Sequence, residues 1–463
     1  MSSQGARGPA AAIIVLGYVA SLIADFPGHF PPDALWQLAQ GRAGRYNTWH
    51  PPVMAWLLGL ADRAHPGAWL FVVLNGALFY GGLFAFVALE RRPRRLCLPL
   101  LVLWMISPIV LIYQGVVLKD VLFANAALAG FAALAWAGRL WDRIQGRYVL
   151  LGAALLLVTL AALTRQNGFV VPPFAASAVA AMSYIRSGGA GRRRAVRAAL
   201  WGGAALSLVA VCDLLASNVL LTHADGRPEN ANHLKVLQVY DLAGATRLAR
   251  SLPLPVLHAR QPALERFLRD RAALNYRAAG ADNLFALPGG QAMMVPSGPA
   301  AGEQWASLIR DHPGLYLQTR ARVWLTTLRT PGSAACPMII TGVDGGDPTM
   351  LGGAGLRARD DAKDDWDEDY ASRFLDGPLY SHLFYGVLLS VSLVWLAWRW
   401  RRGDRGPEAI AAGAMGLAAL AFAASFFVIS VDCDYRFLYF LDVAAMAVLS
   451  RLAGARPPTA LKG

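Results

Sequence analysis

The sequence predicts an all-α polytopic membrane protein of about ten transmembrane helices, on three observations. Of 463 residues, 56% are hydrophobic and only 16% charged, with a mean hydropathy of +0.40. A water-soluble globule of this length needs more charge to cover its surface. The apolar residues gather in runs of about 17–25, long enough to cross roughly 30 Å of hydrocarbon. The arginines collect in short loops between runs: Arg91, Arg92, Arg94 and Arg95; Arg139, Arg143 and Arg147; Arg186, Arg192, Arg193, Arg194 and Arg197; Arg399, Arg401, Arg402 and Arg405. That is the positive-inside pattern. It accounts for the net charge of +13 without nucleic acid, and no nucleic-acid partner is expected.

Ten spans follow in order, near residues 10–24, 68–89, 96–113, 121–137, 148–163, 169–185, 198–221, 379–398, 409–431 and 437–452. Arg7 precedes the first run and no convincing small-x-small cleavage site follows it, so it reads as a retained anchor rather than a signal peptide. With the N-terminus in the cytoplasm, every arginine-rich loop falls on that side, as does the tail with Arg451, Arg456 and Lys462. The chain divides into a membrane module (1–221), an external segment (222–377) and a C-terminal membrane module (378–463).

Two outer loops are long. The first holds helix-like stretches at 33–41 and, after a Pro-Pro start, at 53–64; both mix apolar and polar faces, as helices on a membrane surface do. In the second, the amphipathic stretch 313–328 is expected to rest on the membrane or the bundle, and the glycine-rich 342–355 to be loop. Asp360, Asp361, Asp364, Asp365, Asp367, Glu368 and Asp369 read as a solvated acidic face, since their spacing does not fit an EF-hand. Trp305, Tyr316, Trp324 and Trp366 would suit stacking on a sugar or serve as core anchors. The four cysteines lack metal spacing. Cys97 and Cys212 sit in apolar runs; Cys336 and Cys433 both fall outside and could pair in an oxidising compartment. No Walker loop, Rossmann fingerprint or HExxH motif is present.

The ionisable motifs all lie beside the outer ends of the runs: Asp33, His50, Lys119-Asp120, Arg165 with Gln166 and Asn167, and Asp434-Tyr435-Arg436. Acids and bases gathered at one face of a membrane bundle mark a functional site. Each has a structural alternative. Asp33, after two prolines, could only cap a helix. Asp120 could cap the fourth span or pair with Lys119 or an arginine, His50 could be structural, and Arg165 and Arg436 could snorkel. Asp25, nearer the membrane, is the reserve base.

The stretch Pro27-Gly28-His29-Phe30-Pro31-Pro32-Asp33, followed by Trp49-His50-Pro51-Pro52, resembles the GT-C superfamily of membrane glycosyltransferases. It is similar to the bacterial branch related to protein O-mannosyltransferases and the lipid A aminoarabinose transferase. Asp33 matches the family's first acidic position, His50-Pro51-Pro52 its proline motif, and Lys119-Asp120 its second acidic site. The likeness continues at Thr164-Arg165-Gln166-Asn167-Gly168 and Asp434-Tyr435-Arg436, and does not cover the external segment.

The resemblance implies a GT-C-like bundle that moves a sugar from a polyprenyl-phosphate donor to a hydroxyl of a glycan, lipid-linked saccharide or protein. It implies inversion, and a site at the outer face of a bacterial plasma membrane. Asp33 would be the general base and Asp120 a second catalytic acid. His50, Lys119, Arg165, Gln166, Asn167, Asp434, Tyr435 and Arg436 would bind donor phosphate and sugar. The chain departs from the family at Ala34, where many members carry a second acid, and at Lys119-Asp120, where they carry paired carboxylates. Both departures argue against a required divalent metal, and no cofactor is expected. The alternative is a transporter or flippase of a lipid-linked or anionic substrate. Transporters concentrate ionisable residues at mid-membrane in related halves; here the span centres are nearly free of charge, Asp213 being the main exception, and no repeat is visible.

Overall fold

The structure is a computed structural model that describes residues 6–46, 49–90, 93–188, 191–221, 230–330, 332, 336–344 and 348–455. Arg91, Arg92, Arg456 and Lys462 lie outside them. The apolar runs fold as helices because hydrocarbon offers their backbone N–H and C=O groups no other partner. The first module comprises α1 (Arg7–Asp25), α2 (Pro32–Ala43), α3 (Pro52–Ala64), α4 (Trp69–Ala88), α5 (Cys97–Ile106), α6 (Pro108–Leu111), α7 (Lys119–Arg139), α8 (Ile144–Thr164), α9 (Val171–Arg186) and α10 (Gly191–Leu221). The next segment carries α11 (Asn230–Leu248), α12 (Ala300–Asp311), α13 (Pro313–Arg329), α14 (Pro348–Ala354) and α15 (Ala362–Ser372), with shorter turns between α11 and α12. Three helices close the chain: α16 (His382–Arg401), α17 (Pro407–Ile429) and α18 (Tyr439–Gly454).

Among the described residues nine helices are long and apolar enough to cross a membrane, or ten if one bent pair is a single span. No strand forms there, only isolated bridges. The chain is an all-α, multi-pass membrane protein. Its centre is α7 and the last span, whose apolar windows are 83% and 89% buried, against 11% for α10. The outer face of α10 exposes Leu200, Leu208, Leu214, Leu215 and Val219, a continuous apolar surface suited to lipid.

The sequence reading needs correction at four places. The third span, expected over 96–113 as one run, bends by 67° between α5 and the piece starting at Pro108. Proline disfavours α geometry in the residue before it, and Ser107 accordingly takes ψ 133°. The long helix α10 begins at Gly191 rather than 198, because arginines are good helix formers and extend the apolar run. The glycine-rich 342–355 is not all loop: Pro348 starts α14, whose Ala354 is buried in one cluster with Leu35 of α2. The acidic run is only partly solvated. Asp361 and Asp364 form a capping box at the start of α15, and the spacing of three turns Asp364 and Asp367 to one buried face.

Two features position the site. The helices α2 and α3 cross in backbone contact at Gly41 and Gly59: a Cβ on Gly59 would stand 2.6 Å from the Gly41 carbonyl oxygen. Their outer faces expose Trp36, Trp56 and Leu60. The segment before α16 is fastened to the bundle. Arg320 on α13 donates to the carbonyls of Phe427 (2.8 Å) and Ser430 (2.6 Å) at the end of α17, its charge met by buried Asp241 at 2.9 Å. Trp324 donates to Ala423 O at 2.9 Å, so α13 rests on the bundle as expected. Cys336 and Cys433 form a disulfide, Cα–Cα 4.8 Å, just ahead of the last span. Trp305 donates to Asp241 (2.9 Å); it and Trp324 are anchors, whereas Trp366 is exposed.

The opposite end carries the arginine-rich loops and is also tied together. Arg94 N–H donates to Gly454 O (2.9 Å), and Arg451 pairs with Glu90 (3.2 Å) and Glu408 (3.8 Å).

Candidate active site

Seven of the sequence-selected residues meet at the end of the bundle away from those loops. Asp33 lies in the first turn of α2, where a negative charge is favoured. The N-cap there is Pro31 and no side chain caps the helix, so Asp33 is not an N-cap. Its carboxylate accepts from Arg436 at 2.6 Å, faces Lys119 Nζ at 3.8 Å, and lies 3.5 Å from His50 Nε2. His50 is held just before α3, and its Nδ1 stands 2.7 Å from Lys119 Nζ. An ammonium can only donate. Nδ1 is therefore the acceptor and the ring proton sits on Nε2, facing Asp33.

Arg436 is the hub. Besides Asp33 it binds Asp434 at 2.7 Å and approaches Asp120 at 4.0 Å. Asp120, one residue into α7, is buried and ion-paired with Arg165 at the end of α8. It does not cap α7. The Arg165 guanidinium lies 5.4–5.7 Å from the ring centres of Phe422, Phe426 and Phe437, which shield this pair.

The electrostatics follow from this packing. Burial alone would raise the Asp33 carboxyl, but Arg436, His50 and Lys119 outweigh it and hold Asp33 well below the usual carboxylate range. Burial, then the Lys119 charge, pushes His50 down to about 4, so it is neutral at physiological pH. Burial raises the Asp434 carboxyl, and Arg436 offsets this only in part. Three carboxylates face three basic side chains. Asp33 keeps 26% of its side chain exposed, so the cluster is open to a ligand there.

The remaining sequence-selected residues support it from outside. Gln166 donates to Trp49 O (3.0 Å), beside His50, and Asn167 to Ser425 on α17 (2.9 Å). The Tyr435 hydroxyl points away, to Asp442 (2.8 Å), and its ring stacks on His382 at 4.4 Å. His382 pairs with the same Asp442 at 2.9 Å. This buried triad pins the turn that presents Asp434 and Arg436. Sequence reasoning missed His382 and Asp442, which lie inside apolar runs with no motif. Asp25 is not in the cluster. It belongs to a second buried group with His29, Asp364 and Asp367, also unforeseen; the four-residue spacing of Asp25 and His29 was the available signal.

No family model matches the chain, and no curated protein does. Three similar solved structures are the following. The Archaeoglobus fulgidus oligosaccharyltransferase in complex with Zn and sulfate is 13% identical at TM-score 0.44, over 95% of this chain and 48% of that one. The A. fulgidus oligosaccharyltransferase AglB with an inhibitory peptide and a dolichol-phosphate is 13% identical at TM-score 0.42, over 96% and 50%. ArnT from Cupriavidus metallidurans bound to undecaprenyl phosphate is 14% identical at TM-score 0.36, over 96% and 78%. The chain spans about half the length of the oligosaccharyltransferase chains it matches.

Proposed function

We propose that the chain is a membrane glycosyltransferase that moves a sugar from a polyprenyl-phosphate donor to an acceptor hydroxyl, with Asp33 as general base. The observation that carries this reading is the contact of a partly exposed carboxylate with Arg436 and Lys119 at one membrane end. A base and phosphate-binding cations within one hydrogen-bond layer are what the transfer needs. The donor phosphate would lie on Arg436 and Lys119, with Arg165 as a fixed charge behind them. Lys119 has no carboxylate closer than 3.8 Å, and its ammonium rests on His50 Nδ1 at 2.7 Å.

Donor binding also makes the base. A phosphodiester brings a negative charge to the cluster and competes with Asp33 for its cations, so the proton affinity of Asp33 rises when a donor is present. The acceptor oxygen then attacks the anomeric carbon as its proton passes to Asp33. The bond from that carbon to the phosphate oxygen breaks, and the charge growing on the departing polyprenyl phosphate is met by Arg436 and Lys119. Attack opposite the leaving group inverts the anomeric centre. Each carboxylate of the cluster is engaged by a cation of the protein, which favours a reaction without metal. Exposed Trp36, Trp56 and Leu60 would face the lipid on which the donor arrives.

By the positive-inside rule the arginine-rich end faces the cytoplasm, and both termini with it. The cluster then faces the outer side of a bacterial plasma membrane. The acceptor is a glycan, a lipid-linked saccharide or a protein.

The test is sugar transfer by the purified chain in liposomes supplied with a panel of labelled polyprenyl-phosphate sugars and acceptor extract. Product dependent on donor and protein supports the reading. Movement of labelled lipid across the bilayer without any transfer would replace it with a flippase.

A further inference from the structure

Asp25 ends α1, His29 follows four residues later, and Asp367 comes from α15, more than 330 positions away in sequence. All three side chains are fully buried. His29 Nε2 lies 3.4 Å from Asp25 Oδ1 and 3.7 Å from Asp367 Oδ2, and one donor atom of each of the three falls within 4.8 Å of the others. No hydrogen bond reaches Asp25 Oδ1, His29 Nε2 or either oxygen of Asp367. Buried carboxylates are ordinarily paired or bound to a metal, because an uncompensated charge there is strongly unfavourable.

The neighbouring cations are committed elsewhere. Arg359 donates to both oxygens of Asp364, at 3.0 Å each, and neutralises that carboxylate. The Lys363 ammonium binds the Phe26 carbonyl. Ser21 donates to the other oxygen of Asp25 at 2.8 Å, which leaves its charge in place. Two carboxylates therefore converge on one imidazole nitrogen.

We propose that Asp25, His29 and Asp367 form a binding site for one divalent cation of the Zn²⁺ or Mn²⁺ class. An ion of charge +2 matches the two open carboxylates. Imidazole with carboxylates suits Zn²⁺ or Mn²⁺ better than Mg²⁺ or Ca²⁺, which prefer oxygen. Two donors at tetrahedral positions on a Zn²⁺ ion stand about 3.3–3.6 Å apart, close to the separations of 3.4 and 3.7 Å. Asp364 would supply the outer support: its Oδ1 is 3.5 Å from His29 Nδ1 and could accept a proton there once the Nε2 lone pair turns to an ion. Gly342 N–H donates to Nδ1 at 2.9 Å, so an ion on Nε2 would shift the ring proton to Nδ1 and leave this N–H to Asp364 Oδ1, 3.1 Å away.

The ion would clamp α15 to the outer end of α1. The chain between is stitched to the same place, Phe30 N–H donating to Gly342 O (2.8 Å) and Asp344 N–H to Phe30 O (3.0 Å). The site is separate from the Asp33 cluster and does not depend on the transferase reading.

The full-length chain in detergent, stripped with chelator, is titrated with Co²⁺ and followed by visible absorption, then with Zn²⁺ against a chromophoric chelator. One equivalent of Co²⁺, with d–d bands that Zn²⁺ displaces, is expected. Asp367→Asn and His29→Gln should weaken binding more than 100-fold, Asp364→Asn by about 10–100-fold, and Asp33→Asn not at all. Should a ligand variant fail to fold, the wild-type Co²⁺ spectrum and the Asp33→Asn comparison decide. Absence of saturable binding by the wild type overturns the proposal and leaves His29 as an imidazolium between two carboxylates. Binding that Asp33→Asn abolishes overturns it too, by moving the ion to the other cluster.

Discussion

Replacing Asp33 by asparagine keeps the shape of the side chain and removes its charge and basicity. General-base catalysis contributes about 10²–10⁴ in rate, so kcat should fall by that factor, about 3–5 kcal/mol of transition-state stabilisation. Folding should survive. Arg436 loses its 2.6 Å contact with Asp33 but keeps Asp434 at 2.7 Å, and Lys119 keeps His50 at 2.7 Å. With the position 26% exposed, the cost in stability is about 1–3 kcal/mol, that of one charge-assisted hydrogen bond. The donor KM should not rise and is expected to fall, because Asp33 competes with the phosphate for both cations. The assay is initial-rate transfer from a labelled polyprenyl-phosphate sugar at varied donor concentration, on protein whose melting curve matches the wild type within a few degrees. A kcat within a few-fold of wild type would remove Asp33 as base and bring Asp434 or Asp120 forward. A large rise in donor KM with unchanged kcat would make Asp33 a binding group instead.

Three further outcomes are expected. Because His50 is held down to about 4, the unfolded chain binds a proton that the folded one refuses between about pH 4 and 6.5. Stability should therefore fall as pH drops through that window, by at most about 1.4 kcal/mol per unit, and melting curves of His50→Gln should lack this slope. The disulfide closes a loop of 97 residues, for which chain entropy gives about 4–5 kcal/mol. Denatured, unreduced protein should show two reactive thiols, Cys97 and Cys212, rising to four on reduction; four at the outset would contradict the bond. Gly59→Val drives a side chain into the Gly41 backbone, with an overpacking cost of about 1–3 kcal/mol or more. Asp33 and His50 lie at the starts of the two helices so separated, so transfer should drop more than folded yield. Full activity in this variant would mean that the crossing does not set the site.

The bundle was legible in the sequence because lipid imposes a simple rule: every span must satisfy its own backbone, so long apolar runs are helices. The exceptions obey local chemistry. Ser107 precedes a proline and bends its span, and Pro348 can start a helix within a glycine-rich stretch. The charged end was legible too, since Asp33, His50, Lys119, Asp120, Arg165, Asp434 and Arg436 all adjoin run ends. Which of them touch was not, because pairing depends on how α2, α7, α8 and α18 are packed. Tyr435 turned inward to Asp442, a partner hidden within an apolar span. Asp364 and Asp367 looked solvated among their acidic neighbours, and only the packing of α15 against α1 buries them. The pairing of Cys336 with Cys433 likewise needed a distance that spacing alone does not supply.

Asp33 and Arg436 are separated by 403 residues, nearly the full length of the chain. At about 5–20 residues per second, roughly 20–80 s pass between synthesis of the acid and of its guanidinium partner. During that interval Asp33 lacks its 2.6 Å guanidinium contact. A nascent or truncated chain therefore carries only part of the charge cluster, and on the proposed reading it would not transfer sugar. Competence would, on that reading, arrive only once the segment carrying Arg436 has been made. The same division offers a route to assembly from two separately synthesised pieces, cut between α15 and α16, whose activity would report directly on their association.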